Sequence, residues 1–250
     1  MKKYLLFSLT LSLFILMNTT ASAVRHITIY GDDGYAPYSF KDNEKNNGIY
    51  VKILQKAFSK MKRYKVEIKL IPWKRAILLI KKGAIFAIFP PYFRPNRRPW
   101  IEPYSVPILD EGLSVYCRNE VLTPSRPNWP EDYKGLQIGI NDGFLIPDAE
   151  ELQIQDAPSN KINLKKLFAG RIDCYVNDSK SILYTVKQMG ADISMIKEGA
   201  QLSLEHGYLA FSKNNNPPYK QDFIEKFNTV IMHMKQSGEI EKIVHDFLYE

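Results

Sequence analysis

The feature that most constrains the fold is an alternation of strand-like and helix-like segments along the chain. Residues 26–30 are strand-like, and apolar residues recur at helical spacing over residues 49–62. Apolar residues over 66–70 alternate with charged ones, as in a half-buried strand. A helix over 73–82 and a buried strand over 85–89 follow. Strands that alternate with helices predict parallel pairing through helical crossovers, and therefore an α/β fold.

The same alternation begins again after a proline-rich loop over residues 123–130. Strands are predicted over residues 136–140, 172–176, 193–196 and 208–211, and helices over 164–168 and around 182–189. Two further helices, separated by Gly238, end the chain. Two α/β units of about 90 residues each, with a helical tail, predict two lobes rather than one continuous sheet.

The first 23 residues have the pattern of a secretory signal peptide. Lys2 and Lys3 precede an apolar run over residues 5–17, and the small residues Ala21 and Ala23 flank Ser22. A membrane anchor is the alternative, but a spanning helix needs about 20 apolar residues and this run is shorter. We therefore expect residues 1–23 to be removed and the remaining chain to be periplasmic.

The charge balance is modestly basic, with 34 Lys and Arg against 27 Asp and Glu. This balance favours an anionic ligand or an anionic membrane surface. The basic residues are interspersed with acids rather than grouped in a stripe, so no nucleic-acid partner is predicted. Histidines are scattered and no zinc, phosphate-binding or dinucleotide motif is present. We therefore expect no metal, no cofactor and no catalytic residue.

The two cysteines, Cys117 and Cys174, leave two interpretations open. Export permits a disulfide, but the sequence does not establish the geometry that the bond needs. Two buried thiols are the commoner state for so few cysteines, and this is the interpretation that the sequence favours.

Eight short motifs follow one another along the chain. They are Tyr35-Ala-Pro-Tyr38-Ser-Phe40, Gly48-Ile-Tyr-Val51, Ile71-Pro-Trp73, Lys82-Gly-Ala-Ile-Phe-Ala-Ile88, Arg94-Pro-Asn-Arg97-Arg98 with Tyr104-Ser105, Tyr133-Lys-Gly135, Ala169-Gly-Arg-Ile-Asp173 with Asp178, and Met234-Lys-Gln-Ser-Gly238. Each motif is weak alone, but their order and spacing together are specific. In that order they resemble the extracellular solute-binding proteins of family 3, the polar amino-acid type that serves ABC importers.

The resemblance implies the type II periplasmic-binding-protein-like fold, in which two α/β lobes are joined by two crossing segments and hold a ligand between them. Lobe 1 would comprise residues 24–110 and 205–250, and lobe 2 residues 111–204. It also implies a monomer that binds a small molecule and works with an ABC permease or a membrane sensor.

The resemblance also points to ligand-binding residues in lobe 1. Tyr35 and Trp73 align with aromatic positions that sandwich the ligand, although both could instead be core residues. Arg98 aligns with the arginine that clamps a ligand carboxylate, a role that suits the planar guanidinium. Arg94 or Arg97 could serve instead, and a solvated basic loop is the alternative for all three.

Two acids complete the implied set. Asp178 aligns with the lobe 2 acid that pairs with a ligand ammonium, and Asp32 aligns with a lobe 1 helper. Asp178 could equally cap the helix that begins near Ser179, and the two roles can coexist.

The chain departs from the family pattern where hydroxyl side chains usually bind the ligand. Pro90, Pro91 and Tyr92 follow the lobe 1 strand, and Phe144 and Leu145 stand where lobe 2 usually carries threonines. Tyr92 and Phe144 are therefore expected to contact the ligand. These changes remove hydrogen-bond donors and add apolar bulk. We expect an anionic or zwitterionic ligand that is more apolar than a standard amino acid, with aromatic ligands included.

Three functions are compatible with this set of residues. The first is the binding component of a transporter. The second is a periplasmic enzyme on the same fold, similar to cyclohexadienyl dehydratase, for which Asp178 or Glu102 would supply the acid. The third is a sensor that presents its ligand state to a membrane receptor. A shared fold does not choose among them.

Overall fold

The computed structural model describes residues 24–249, so the signal peptide predicted for residues 1–23 lies outside the described part. In chain order the strands are β1 (Arg25–Asp32), β2 (Gly34–Tyr35), β3 (Ser39–Asp42), β4 (Lys45–Asn47), β5 (Tyr64–Ile71), β6 (Ala87–Phe89), β7 (Ile101–Tyr104), β8 (Leu109–Arg118), β9 (Gln137–Asn141), β10 (Gln153–Ala157), β11 (Cys174–Asp178), β12 (Ile196–Gly207) and β13 (Ala210–Ser212). The α-helices are α1 (Ile49–Ser59), α2 (Trp73–Lys81), α3 (Asn160–Phe168), α4 (Ser179–Gln188), α5 (Lys220–Gln236) and α6 (Glu239–Tyr249).

The first large sheet has the strand order β5-β1-β6-β13-β7, and we call the body built on it lobe 1. Strands β5, β1 and β6 are parallel, and β13 pairs antiparallel with both β6 and β7. Ile27 and Ile29 of β1 lie opposite Val66 and Ile68 of β5, so the apolar positions of both strands share one face. That face packs on α1, α5 and α6, whereas the opposite face carries α2.

The second large sheet has the strand order β10-β9-β11-β8-β12, and we call the body built on it lobe 2. Its parallel strands are β10, β9 and β11, and β8 runs antiparallel to both β11 and β12. Alternation along the strands gives two apolar faces. One face packs on α3 and α4 around Tyr175, and the other is covered by loops that carry Trp129 and Tyr133.

Two neighbouring segments of the chain connect the lobes. The first, between β7 and β8, contains Ser105 and Ile108; the second, between β12 and β13, contains Leu209. The Ser105 amide donates to the Leu209 carbonyl at 2.8 Å, and the Ile108 amide donates to the Gly207 carbonyl at 2.8 Å. The crossing segments are therefore held to each other by backbone hydrogen bonds. None of the helices within residues 24–249 is long and apolar enough to cross a membrane.

A disulfide joins Cys117 and Cys174, so the preference for two free thiols is wrong. Cys117 in β8 lies directly opposite Cys174 in β11, with 4.0 Å between their Cα atoms. Both residues are fully buried in lobe 2. The two cysteines are 57 residues apart in the sequence, and only the antiparallel pairing of β8 with β11 brings them together.

Candidate ligand-binding site

A small cavity lies between the two lobes, and six of the seven predicted contact residues line it. These six are Asp32, Tyr35, Trp73, Tyr92, Arg98 and Phe144. The lining also includes Pro90, Pro91, Arg94 and Leu145. The seventh predicted residue, Asp178, does not line this cavity.

The cavity lies where ligands bind in open α/β sheets, beyond the carboxyl ends of parallel strands. Asp32 ends β1, and Trp73 begins α2 two residues after β5 ends. The segment that includes Arg98 follows β6, and Phe144 follows β9 of lobe 2. The sequence motifs therefore meet because each lies at the same end of its sheet.

The lobes are closed on each other around this cavity, which encloses about 20 Å³. That volume holds about one water molecule. Asn160 of lobe 2 donates to the Ala36 carbonyl of lobe 1 at 2.9 Å, and the Ser181 hydroxyl donates to the same carbonyl. Phe144 lies edge-on against Tyr35, with 5.4 Å between ring centroids. A ligand larger than a water molecule therefore fits only when the lobes move apart.

Arg98 is the charged group that most clearly lacks a partner. Its side chain is 5% exposed, and Nη2 donates to the Gly143 carbonyl across the lobes at 2.5 Å. Its Cζ lies 5.8 Å from the centroid of the Trp73 ring. Among residues 24–249, no carboxylate forms an ion pair with it, and burial lowers its pKa to about 10. The guanidinium is thus desolvated without a compensating anion.

The two neighbouring arginines are placed differently. Arg94 lines the cavity, but its guanidinium is paired with Glu205 at 2.6 Å. Arg97 is exposed and pairs with Glu150 at 3.2 Å. Of the three arginines that the sequence left open, Arg98 alone both lines the cavity and has no acidic partner within the described chain.

Asp32 is the acid that lines the cavity. It is 3% exposed, and its Oδ1 accepts a hydrogen bond from the Gly34 amide at 2.9 Å. Burial, with a smaller contribution from the charge of Asp33, raises its pKa to about 8. At neutral pH the folded protein therefore favours the protonated form of Asp32.

Sequence reasoning missed Glu111, a fully buried carboxylate at the start of β8. Its oxygens accept hydrogen bonds from the hydroxyls of Tyr50 at 2.5 Å, Tyr92 at 2.7 Å and Tyr35. Gly207 allows this approach, since a Cβ there would overlap the Tyr50 hydroxyl. Glu111 therefore fixes two tyrosines of the cavity wall. The three tyrosines are far apart in the sequence, so no local motif indicated the cluster.

We expect Glu111 to make stability depend on pH. Burial, followed by the nearby charge of Asp178, raises its pKa from 4.5 to about 7. A raised pKa means that the folded state holds this proton where the unfolded state has lost it. The stability that Glu111 contributes is therefore complete below pH 4.5 and is lost as pH rises through 7. Glutamine cannot titrate, so the free energy of unfolding of Glu111→Gln, relative to that of wild type, should increase by on the order of 3 kcal/mol from pH 5 to pH 8.

Urea denaturation at both pH values measures this difference. Asp32→Asn is measured for comparison. The pKa of Asp32 is raised in the same direction, so this variant should change the pH dependence of stability in the same sense. The interpretation fails if Glu111→Gln and wild type keep the same stability difference at pH 5 and pH 8.

Asp178 is held within the protein rather than in the cavity wall. It ends β11 and caps α4, where Oδ1 accepts from the Ser181 amide at 3.0 Å. The capping role that the sequence offered as an alternative is therefore present. Within residues 24–249, no group of three or more His, Cys, Asp or Glu side chains is arranged to hold a metal ion.

Comparison with known structures supports the two-lobed fold. An ABC uptake transporter substrate binding protein from Streptococcus pneumoniae, with bound histidine, is 17% identical with a TM-score of 0.74, covering 90% of this chain and 93% of that one. A histidine kinase sensor domain with similarity to periplasmic binding proteins is 19% identical with a TM-score of 0.74, covering 90% and 96%. An ancestral amino acid-binding protein, a precursor of cyclohexadienyl dehydratase, is 20% identical with a TM-score of 0.70, covering 89% and 95%. At these identities the likeness establishes the fold alone, and it confirms the predicted fold class.

The sequence itself matches a family profile over almost its whole described length. The profile for bacterial extracellular solute-binding proteins, family 3, matches residues 27–250. No curated protein sequence is significantly similar to the chain. The matched region contains every motif in which the sequence resembled this family, together with both lobes and the cavity between them. The chain therefore belongs to the bacterial extracellular solute-binding proteins, family 3.

Proposed function

We propose that this protein is a periplasmic binding protein that captures a small carboxylate-bearing ligand, amino-acid-like or aromatic, between its lobes. Residues 24–110 and 205–250 form lobe 1 in this proposal, and residues 111–204 form lobe 2. The protein acts as a monomer and delivers the ligand to an ABC importer. The observation that carries the proposal is the buried guanidinium of Arg98, which faces the interlobe cavity without a carboxylate partner in the described chain.

A ligand carboxylate would provide the anion that Arg98 lacks. The planar guanidinium donates two parallel hydrogen bonds to a carboxylate, and such charge-assisted bonds are about twice as strong as neutral ones. The bond from Nη2 to the Gly143 carbonyl crosses the lobes and breaks when they open. The guanidinium has five N–H donors, so it can bind a ligand carboxylate with two of them whether or not this bond forms again on closure. Closure around the ligand then removes water and strengthens the ionic contact.

The remaining cavity wall suits an apolar ligand body. Trp73 and Phe144 offer ring faces and edges, while Pro90, Pro91 and Leu145 supply further apolar surface. Ligand sites in general combine such a wall with a few oriented polar groups.

Neither acid that was offered for the dehydratase-like hypothesis lines the cavity. Of these two alternatives, Glu102 pairs with Lys213 at 2.8 Å on the protein surface. Asp178 is not among the residues that line the cavity. Neither acid is therefore placed to reach a molecule held beside Arg98.

A thermal-shift screen of small carboxylic acids, amino acids and amines tests the proposal. A ligand at about 100 times its Kd stabilises the folded state by about 2.7 kcal/mol, which for a chain of this length raises the Tm by roughly 5–10 °C. We expect such shifts from compounds with a carboxylate. A screen in which no carboxylate raises the Tm, at concentrations up to 10 mM, would refute the proposed function.

A further inference from the structure

The carboxylate of Asp178 is held by three hydrogen bonds from groups of the protein itself. Its Oδ1 accepts hydrogen bonds from the Tyr38 hydroxyl at 2.9 Å and from the Ser181 amide at 3.0 Å. Its Oδ2 accepts from the Gly112 amide at 2.8 Å. The residue is 1% exposed, so neither oxygen is open to the cavity.

The Tyr38 hydroxyl reaches Asp178 from the opposite lobe. Tyr38 lies between β2 and β3 of lobe 1, and its ring packs on Tyr35 and Tyr50 at centroid distances of 5.0 and 5.8 Å. Asp178 ends β11 of lobe 2. The hydrogen bond therefore forms as the lobes close, at the moment when a ligand would be enclosed.

The rest of the cavity offers little to an ammonium group. The lobe 2 side chains in its wall, Phe144 and Leu145, are apolar. Asp32 is the acid in the lining, and burial raises its pKa to about 8, so at neutral pH it is mainly an uncharged hydrogen-bond donor. Arg98 adds an unpaired positive charge on the lobe 1 side, whereas the charge of Arg94 is balanced by Glu205. A carboxylate finds a charged partner in this cavity, whereas an ammonium would find no anion there and only ring faces to replace its hydration.

We infer that Tyr38 occupies the place on Asp178 that a ligand ammonium would need, so that the cleft selects a carboxylic acid without a charged amino group over the matching α-amino acid. The inference rests on the proposed function, because it assumes a carboxylate ligand held by Arg98. The α-amino acid would be rejected because its ammonium would be buried without an anionic partner. Leaving a buried charge unpaired is a usual means of rejecting a close analogue.

Matched sets of three compounds test the inference on the wild-type protein. One set is 3-phenylpropanoate, phenylalanine and 2-phenylethylamine; the other is 4-methylpentanoate, leucine and 3-methylbutylamine. Each set keeps the apolar body and varies only the charged groups. Titration calorimetry at pH 7 should give a Kd at least 10-fold lower for each acid than for its amino acid, and no binding of either amine.

The outcomes separate this inference from the proposed function. If an amino acid binds more tightly than its deaminated acid, the inference is wrong while the proposed function stands. Should the amines alone bind, or no compound of either set bind, then the carboxylate clamp itself is wrong and the inference fails with it.

Tyr38→Phe provides a second readout, since it removes only the hydroxyl that bonds Asp178. We expect the preference for 3-phenylpropanoate over phenylalanine to fall at least 5-fold in this variant. Tyr64→Phe is the matched control, because it removes another tyrosine hydroxyl, one that bonds Asp222 outside the cavity lining. An equal preference in wild type, Tyr38→Phe and Tyr64→Phe would overturn the inference, and the wild-type compound sets decide it even if a variant does not fold.

Discussion

Arg98→Met is expected to weaken carboxylate binding at least 100-fold while leaving the fold intact. Two charge-assisted hydrogen bonds are lost, each worth about 1.5–3 kcal/mol, and every 1.4 kcal/mol corresponds to about a tenfold change in Kd. The fold does not suffer, because the guanidinium is buried without a carboxylate partner in the described chain. Methionine fills similar space and carries no charge to desolvate.

Titration calorimetry with the best carboxylate from the thermal-shift screen measures the change, and thermal unfolding without ligand checks the fold. Arg97→Met is the matched control, since Arg97 is exposed and pairs with Glu150. It should bind within 3-fold of wild type. Equal losses in the two variants would show that the overall charge of the loop, rather than the buried Arg98, attracts the ligand.

Replacing both cysteines by alanine is expected to lower the free energy of unfolding by about 4 kcal/mol, from the entropy of closing a loop of this length. The loop spans 57 residues between Cys117 and Cys174 and contains β9, β10 and α3. Without the bond, the unfolded chain gains freedom that the folded lobe 2 does not. Urea denaturation gives the difference directly.

Reducing the disulfide of wild type distinguishes the effect of losing the S–S bond from the effect of losing the two cysteine side chains. Dithiothreitol should destabilise wild type by a similar amount and leave the Cys117→Ala/Cys174→Ala variant unchanged. If the double variant lost less than 1 kcal/mol, the disulfide would not contribute to lobe 2 stability as the loop length predicts.

The sequence allowed the α/β alternation to be predicted because the inner elements have clear periodicity. The strand predicted over residues 26–30 is the core of β1, and the helix predicted over 49–62 is α1, which ends at Ser59. The antiparallel strands were harder to identify. Strand β12 contains Gly199, Gln201 and Glu205, and its register against β8 shifts twice, so it lacks a regular alternation of apolar residues.

One predicted element is wrong at the end of lobe 2. The strand expected over residues 193–196 is a 3-10 turn at Ile193–Met195, and the strand begins only at Ile196. Asp192 explains the turn, because its side chain accepts a hydrogen bond from the Ser194 amide and so caps the short helix. The apolar residues of this segment do not show that the Asp192 side chain, by bonding the local backbone, competes with strand pairing.

The sequence indicated which residues belong to the candidate site, but not which hydrogen bonds connect them. The family resemblance pointed to Trp73, Arg98 and Phe144 as ligand contacts, and the structure brings them to one cavity. The convergence of three tyrosines on Glu111 depends on how separate segments of lobe 1 meet β8. Likewise, whether Asp178 faces a ligand or bonds Tyr38 depends on the closed arrangement of the lobes.

The central claim is that a carboxylate ligand binds between the lobes on Arg98, and a crystal structure of the complex with the tightest-binding carboxylate tests it most directly. We expect the carboxylate oxygens at about 2.8 Å from the Arg98 guanidinium nitrogens. The ligand body should lie between Trp73 and Phe144. A ligand bound outside the space between the lobes, or one whose carboxylate makes no contact with Arg98, would contradict this account.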